Sequence, residues 1–112
     1  MELDRFTDLE LEPKIELPNT GTYLFESDIH YLRHSLGFYE YEYPEHQDKF
    51  VARRNRYCAL LISRDYYIME SLIERGLAGE NGKDWHYKFY YITEKGIKAL
   101  SEYLNTEITE IK

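Results

Sequence analysis

The stretch SRDYYIMESLIERGLAGENGKDWHYKFYYITEKGIKALSEYLN, residues 63–105, decides the fold. Ser63 suits a helix N-cap, and Ile68, Met69, Leu72 and Ile73 recur at helical spacing before Gly76 stops the run. Leu77-Ala78 leads into GENGKD, where Asn81-Gly82 is a hairpin signal because both residues tolerate positive φ. WHYKFYYI then returns as an aromatic strand. Thr93 caps a last helix with Ile97, Leu100 and Leu104 on one face. The order is helix, hairpin, helix.

Upstream, Ile29, Leu32 and Leu36 mark a first helix over 28–36, with Ser27 as its N-cap, Asp28 in its first turn and Gly37 as its stop. The first 22 residues alternate apolar and acidic positions but are broken by Pro13 and Pro18 and end on Asn-Thr-Gly, which reads as an arm or edge strand packed on the body. FYEYEYPEHQD, residues 38–48, alternates Tyr and Glu and is left irregular. FVARRNRYCALLI, residues 50–62, is ambiguous between strand and helix and leans to helix in part. The end, TEITEIK, should fray. The expected core is Leu32, Leu36, Ile68, Leu72, Ile73, Leu77, Tyr91, Ile92, Ile97, Leu100 and Leu104.

A chain of 112 residues fits one domain, here an arm over 1–22 and a single domain over 23–112. The longest apolar run, Ala59 to Ile62, is far short of a membrane span, and the acidic start does not read as a signal peptide, so a cytoplasmic protein of a bacterial host is expected. Cys58, the single cysteine, suits a reducing compartment and is read as an inert, partly buried side chain. The net charge of −7 is unevenly spread. Residues 1–48 hold 12 acidic and 3 basic side chains, whereas residues 49–64 hold 5 basic and none acidic: Lys49, Arg53, Arg54, Arg56 and Arg64. An acidic chain is repelled by nucleic acid at long range, so any phosphate contact must work through that island.

MESLIERGLA followed by YYITEKGIKALSEYL resembles the C-terminal half of winged-helix domains, over about residues 63–106. The resemblance implies that the helix ending in Gly76-Leu77 is a recognition helix and the hairpin a wing. It implies an α+β, winged-helix-like fold of three to four helices with a C-terminal β-hairpin wing. One departure is plain: 26 residues separate Gly37 from Arg64, where a helix-turn-helix uses three or four. A looser resemblance reaches a group of small phage and prophage proteins through Arg33-His34-Ser35-Leu36-Gly37, Arg54-Asn55-Arg56-Tyr57, Gly76-Leu77 and Thr93-Glu94-Lys95-Gly96. That group's glycine-rich loop is replaced here by Leu60-Leu61-Ile62. The resemblance implies a phage accessory setting and lends no activity.

On the 64–75 helix, Asp65, Glu70 and Glu74 stand against Arg64 and Arg75, a poor face for a major groove. The candidate nucleic-acid contacts are therefore Arg53, Arg54, Arg56 and Arg64 with Lys83 and Lys88 of the wing. The alternative is that these cations neutralise the chain's own carboxylates. His30 and His34, with Glu26 a turn back, lack the stricter spacing of a zinc site, so neither metal nor cofactor is expected. No nucleophile-and-base set or phosphate loop can be placed, so the chain does not read as an enzyme. Two function classes stay open: a phage regulator or accessory protein that binds nucleic acid, and an adaptor or inhibitor whose acidic, tyrosine-rich surface docks on a basic protein. A homodimer through the last helix or the arm is expected from the apolar stripe Tyr103, Leu104 and Ile108.

Overall fold

The structure, a computed structural model, describes residues 12–37 and 49–110. The Tyr-Glu segment 38–48 and the first 11 residues of the arm lie outside them. The order is β1 (Ile15–Leu17), β2 (Thr22–Leu24), α1 (Glu26–Ser35), β3 (Lys49–Ala52), β4 (Tyr57–Leu60), α2 (Arg64–Glu74), β5 (Ala78–Lys83), β6 (Tyr87–Ile92), α3 (Glu94–Leu104) and β7 (Glu107–Glu110). The strands form an antiparallel pair β1-β2, a parallel pair β3-β7, and a three-stranded antiparallel sheet in the order β4-β6-β5. Among the described residues no helix is long and apolar enough to cross a membrane.

β1 and β2 are joined through Pro18 to Gly21, where Gly21 at φ 78° donates its N–H to the Leu17 carbonyl at 2.8 Å. The hairpin crosses residue 22, so the arm and the body pair directly. Glu102 of α3 accepts from the Asn19 N–H, the Thr20 N–H and the Thr20 hydroxyl at 2.9, 2.8 and 2.7 Å, fixing the turn to the last helix. The N-cap of α1 is Phe25 rather than Ser27. The Asp28 carboxylate reaches back to the Phe25 N–H at 2.8 Å, which satisfies an end group of the helix. The Ser27 hydroxyl and N–H instead donate to Glu12.

The helical lean over 50–62 is corrected to two strands. Phe50 and Ala52 are buried while Val51 between them is 54% exposed, a period of two that only a strand delivers. β3 finds its partner in the residues expected to fray, Lys49 pairing with Glu107 and Phe50 with Ile108. Ile108, Tyr103 and Leu104 pack against the core, so the stripe that suggested a dimer is largely used within the chain.

The winged-helix expectation is also corrected. β6 does not belong to a free two-stranded wing: it is the middle strand of a sheet whose other edge is β4. Only α2 lies between β4 and β5, so the helix pair of a helix-turn-helix is not formed there, and after α3 the chain continues into β7. Three helices and seven strands are formed among the described residues.

The paired motifs are explained by contact. α2 runs from its Ser63 cap, which accepts from the Tyr66 N–H, to Gly76 at φ 77°. Thr93 donates its N–H to the Leu77 carbonyl at 3.1 Å and its hydroxyl to the Gly76 carbonyl at 2.7 Å, while accepting from the Gly96 N–H. A Cβ on Gly96 would stand 2.1 Å from the Leu77 carbonyl oxygen, so α3 can approach the α2-β5 turn only with glycine there. Of the expected core, Leu32, Leu36, Ile68, Leu72, Leu77, Ile92, Ile97 and Leu100 are buried, and Ile73 and Leu104 are half-buried. Tyr91 is the correction: at 39% exposure it faces outward from β6.

Arg75, read from sequence as part of an outward face, is buried. Its Nη1 donates to Asp28 Oδ2 at 2.8 Å and to the Tyr23 carbonyl at 3.0 Å, with side-chain exposures of 8% for Arg75 and 1% for Asp28. Removing one partner of such a pair strands a buried charge. Arg75→Ala is therefore expected to lower the unfolding free energy by about 3–5 kcal/mol in urea titration, far more than Arg64→Ala on the exposed first turn of α2.

Candidate functional site

Alternation along β4 and β6 divides the three-stranded sheet into two unlike faces. Tyr57, Ala59, Lys88, Tyr90 and Ile92 occupy the face toward the helices, with Tyr57 opposite Tyr90 and Ala59 opposite Lys88. α2 supplies their polar anchors. Asp65 accepts from the Tyr57 and Tyr31 hydroxyls at 2.6 and 2.9 Å, and Glu70 accepts from Lys88 Nζ and the Tyr90 hydroxyl at 2.6 and 2.8 Å. These carboxylates, which sequence reading placed on an outward recognition face, are turned into the fold.

The other face carries Cys58 opposite Phe89 and Leu60 opposite Tyr87, with Tyr91 next along β6. Leu60 is 52%, Tyr87 42% and Tyr91 39% exposed. Cys58 is exposed too, in place of the partly buried position expected. Gly79 faces Tyr91 across the β5-β6 ladder, and the phenol ring lies where a Cβ would be, 2.3 Å from that position at its nearest atom. The glycine lets the ring lie over β5.

At one end of this face, the Leu61 N–H donates to the His86 carbonyl at 2.9 Å, bringing the β4-α2 turn beside the hairpin tip. Asp84 accepts from the His86 and Tyr87 N–H groups at 2.9 and 2.8 Å, a rigid turn that holds Trp85 out at 93% exposure. Ile62 beside it is 69% exposed and sits at φ 66°, a left-handed conformation that a β-branched residue resists.

The arginine island forms at the other end, and the link is structural. The Arg53 and Arg56 N–H groups donate to the Leu36 and Ser35 carbonyls at 3.1 and 3.0 Å, and Arg54 Nε and Nη2 both reach the His34 carbonyl, at 3.1 and 2.6 Å. The segment thus satisfies the carbonyls left open at the C-terminus of α1, where positive charge is favoured. Asn55 bonds both sides of Ile92, its Nδ2 donating to the carbonyl at 2.8 Å and its Oδ1 accepting the N–H at 2.6 Å. The bonds to the His34, Ser35 and Leu36 carbonyls join the Arg-His-x-Leu-Gly and Arg-Asn-x-aromatic segments in space, and Asn55 ties them to the end of β6.

Of the six cations expected to hold phosphate, Arg54 and Arg56 come together. They line a hollow of ≈ 530 Å³ with His34 and Asn81, whose remaining walls are Tyr57, Cys58, Phe89 and Tyr90. Arg53 is exposed beside them, and Arg64 and Lys83 are exposed elsewhere on the surface. Lys88 does not belong with them: 12% exposed, it is committed to Glu70 at 2.6 Å and Glu80 at 3.4 Å. Sequence reading missed Tyr87, Phe89, Trp85 and Asn81. The alternation Tyr87, Phe89, Tyr91 was the available signal, but it marks a face without saying which one is covered. His30 and His34 stack at 6.2 Å, and among the described residues no three His, Cys, Asp or Glu are placed to hold a metal.

Burial lowers the His34 pKa, and Arg54 and His30 lower it further against the opposing effect of Asp65. Burial raises the Tyr57 and Tyr31 phenols, as do the hydrogen bonds and charge of Asp65, and burial with Glu70 raises Tyr90. Comparison with family models, curated proteins and solved structures gives no match. Fold and site therefore define a class only: a small α+β domain with an open aromatic sheet face and an arginine-lined hollow at its edge.

Two expectations follow. The folded state keeps phenolic protons that the unfolded chain releases above the ordinary value of 10.0, so these tyrosines support the fold fully below that pH and progressively less above it. Burial alone lowers the Lys88 pKa, but Glu70 and Glu80 more than reverse it, so its contribution fades in the same alkaline range. Urea midpoints are expected to hold level up to pH 10.0 and fall beyond it, with Tyr90→Phe flattening the fall. Separately, Ile62→Gly relieves the left-handed strain and is expected to stabilise by about 1 kcal/mol, seen as a raised melting temperature.

Proposed function

We propose that this chain binds single-stranded nucleic acid across the open face of the β4-β6-β5 sheet, as an accessory protein of the phage type that its motifs resemble. The observation that carries the reading is the row Tyr87, Phe89 and Tyr91 on the outward side of the middle strand, continued by Trp85 at 93% exposure and bordered by arginines. Aromatic rings on an antiparallel sheet stack on bases, and such sheets hold about two or three. Bases in a duplex hide their faces, so this surface favours unpaired strands. Arg56, at the edge of this face, is exposed and has no ion-pair partner among the described residues, which leaves it for phosphate.

The competing reading, a docking surface for a basic protein, draws less support from this geometry. Asp28, Asp65, Glu70 and Glu102 accept hydrogen bonds within the chain, and Tyr31, Tyr57 and Tyr90 donate to two of them.

Trp85 is the single tryptophan, so binding can be read from its fluorescence. A short mixed-sequence single strand at low salt is expected to quench it saturably, and the matching duplex much less. Phe89→Ala and Tyr91→Ala should each weaken binding by about 1–3 kcal/mol, the usual worth of one base-aromatic stack. Arg56→Ala should make the salt dependence shallower. Absence of quenching at low salt, or affinity unchanged by both aromatic substitutions, would remove the proposal.

A further inference from the structure

The hollow beside Arg56 is half open to solvent, and its size and lining chemistry suit a small polar molecule. Its ≈ 530 Å³ falls within the range of ligand pockets, about 300–1,000 Å³. Among the described residues no carboxylate lines it, although the chain as a whole carries −7, so these walls are a local exception to the protein's charge. Arg56 is held by its backbone to the Ser35 carbonyl, leaving its guanidinium unpaired among the described residues. Arg54 spends Nε and Nη2 on the His34 carbonyl, which fixes the plane of its guanidinium at the wall. Two guanidinium groups at one wall suit the several oxygens of a phosphate.

The other walls suit a planar base. Phe89 presents an aromatic ring from the outer face, while Tyr57 and Tyr90, on the helix side with their hydroxyls anchored to Asp65 and Glu70, make a fixed backing behind it rather than stacking surfaces. Asn81 lies where the β5-β6 register slips between Glu80 and Lys83, a bulge that takes it out of the regular ladder and into the lining. An amide offers both donor and acceptor to a base edge.

We infer that this hollow seats a single nucleotide, with its phosphate on Arg56 and Arg54 and its base against Phe89 within reach of Asn81. The ligand class rests on the nucleic-acid reading above, but the seat is testable apart from it. The same chemistry is offered by a free nucleoside monophosphate and by the phosphorylated end of a strand.

The test is an amide and histidine NMR titration of the full chain with each of the four common nucleoside 5′-monophosphates, with adenosine and inorganic phosphate as separate probes. At least one nucleotide is expected to shift Arg56, His34, Asn81 and Phe89 saturably. Phosphate alone should move Arg56 while leaving Phe89 in place, and adenosine alone should bind at least tenfold more weakly. Arg56→Ala should weaken the nucleotide at least tenfold, and Asn81→Ala should narrow the differences among the four bases. Both side chains are exposed, so neither change threatens the fold. No saturable shift with any nucleotide, or the same affinity after Arg56→Ala, overturns the seat. Strand quenching of Trp85 without nucleotide shifts rejects the seat and keeps the strand reading; nucleotide shifts without quenching do the reverse. If the seat binds, a single strand carrying a 5′-phosphate that binds several-fold tighter than its hydroxyl counterpart identifies the strand end as occupant, and equal affinities identify the free nucleotide.

Discussion

The buried pair of Asp28 and Arg75 is the constraint around which the helical side of the domain is arranged. Three segments meet there: the start of α1 through Asp28, the middle of β2 through the Tyr23 carbonyl, and the end of α2 through Arg75 and the Ser71 oxygens. Arg75 lies 5.0 Å from the Tyr23 ring and 5.3 Å from the Phe25 ring, so its flat faces are covered while its edges are hydrogen-bonded. A carboxylate at a helix start and a guanidinium at a helix end each sit where the local backbone favours their sign. Desolvating both charges is costly, and complete hydrogen bonding offsets that cost only in this one arrangement. The pair therefore restricts how α1, α2 and the first hairpin can meet.

The same economy of charge shapes the rest of the surface. Asp65 and Glu70 face inward to phenols and Lys88, and Glu102 holds the β1-β2 turn. Carboxylates committed inside the fold are removed from the surface that α2 would otherwise show, and the cations at residues 53–56 stay at the sheet's edge. An acidic chain can thereby present one aromatic face bordered by arginine. Net charge describes long-range attraction, whereas the contact surface is set by which charges are consumed internally.

Glycine and polar motifs act here as joints between distant segments. Gly76-Leu77 receives Thr93, Gly96 admits the backbone at Leu77, and Asn55 closes the end of β6. Each joint lies toward the helices or at the sheet's end, which leaves Tyr87, Phe89 and Tyr91 uncovered among the described residues.

Local signals were sufficient for α2 and α3 and for the existence of α1 and the β5-β6 hairpin, because capping residues and helical spacing act over a few residues. Asn81-Gly82, read as the hairpin turn, instead lies at a register slip inside β5, and the turn is made at Asp84 to Tyr87. Residues 50–62 and the end of the chain were not legible in this way. Phe50 and Ile108 become strand residues only on pairing with each other across 57 intervening positions, a contact that no local window contains. The winged-helix reading failed for the same reason: the helix-hairpin-helix order is local, but whether β6 gains a second neighbour depends on where β4 docks. Arg75 looked like a solvent-facing cation until Asp28 came to meet it, and Tyr91 looked like core until its side of β6 was left without a covering layer. Sequence by itself determined the three helices, the strand pair β5-β6 and the chemical types available to a site. Only the tertiary structure decided which charges are neutralised inside and which aromatic face stays open, because both depend on contacts between residues far apart in the chain.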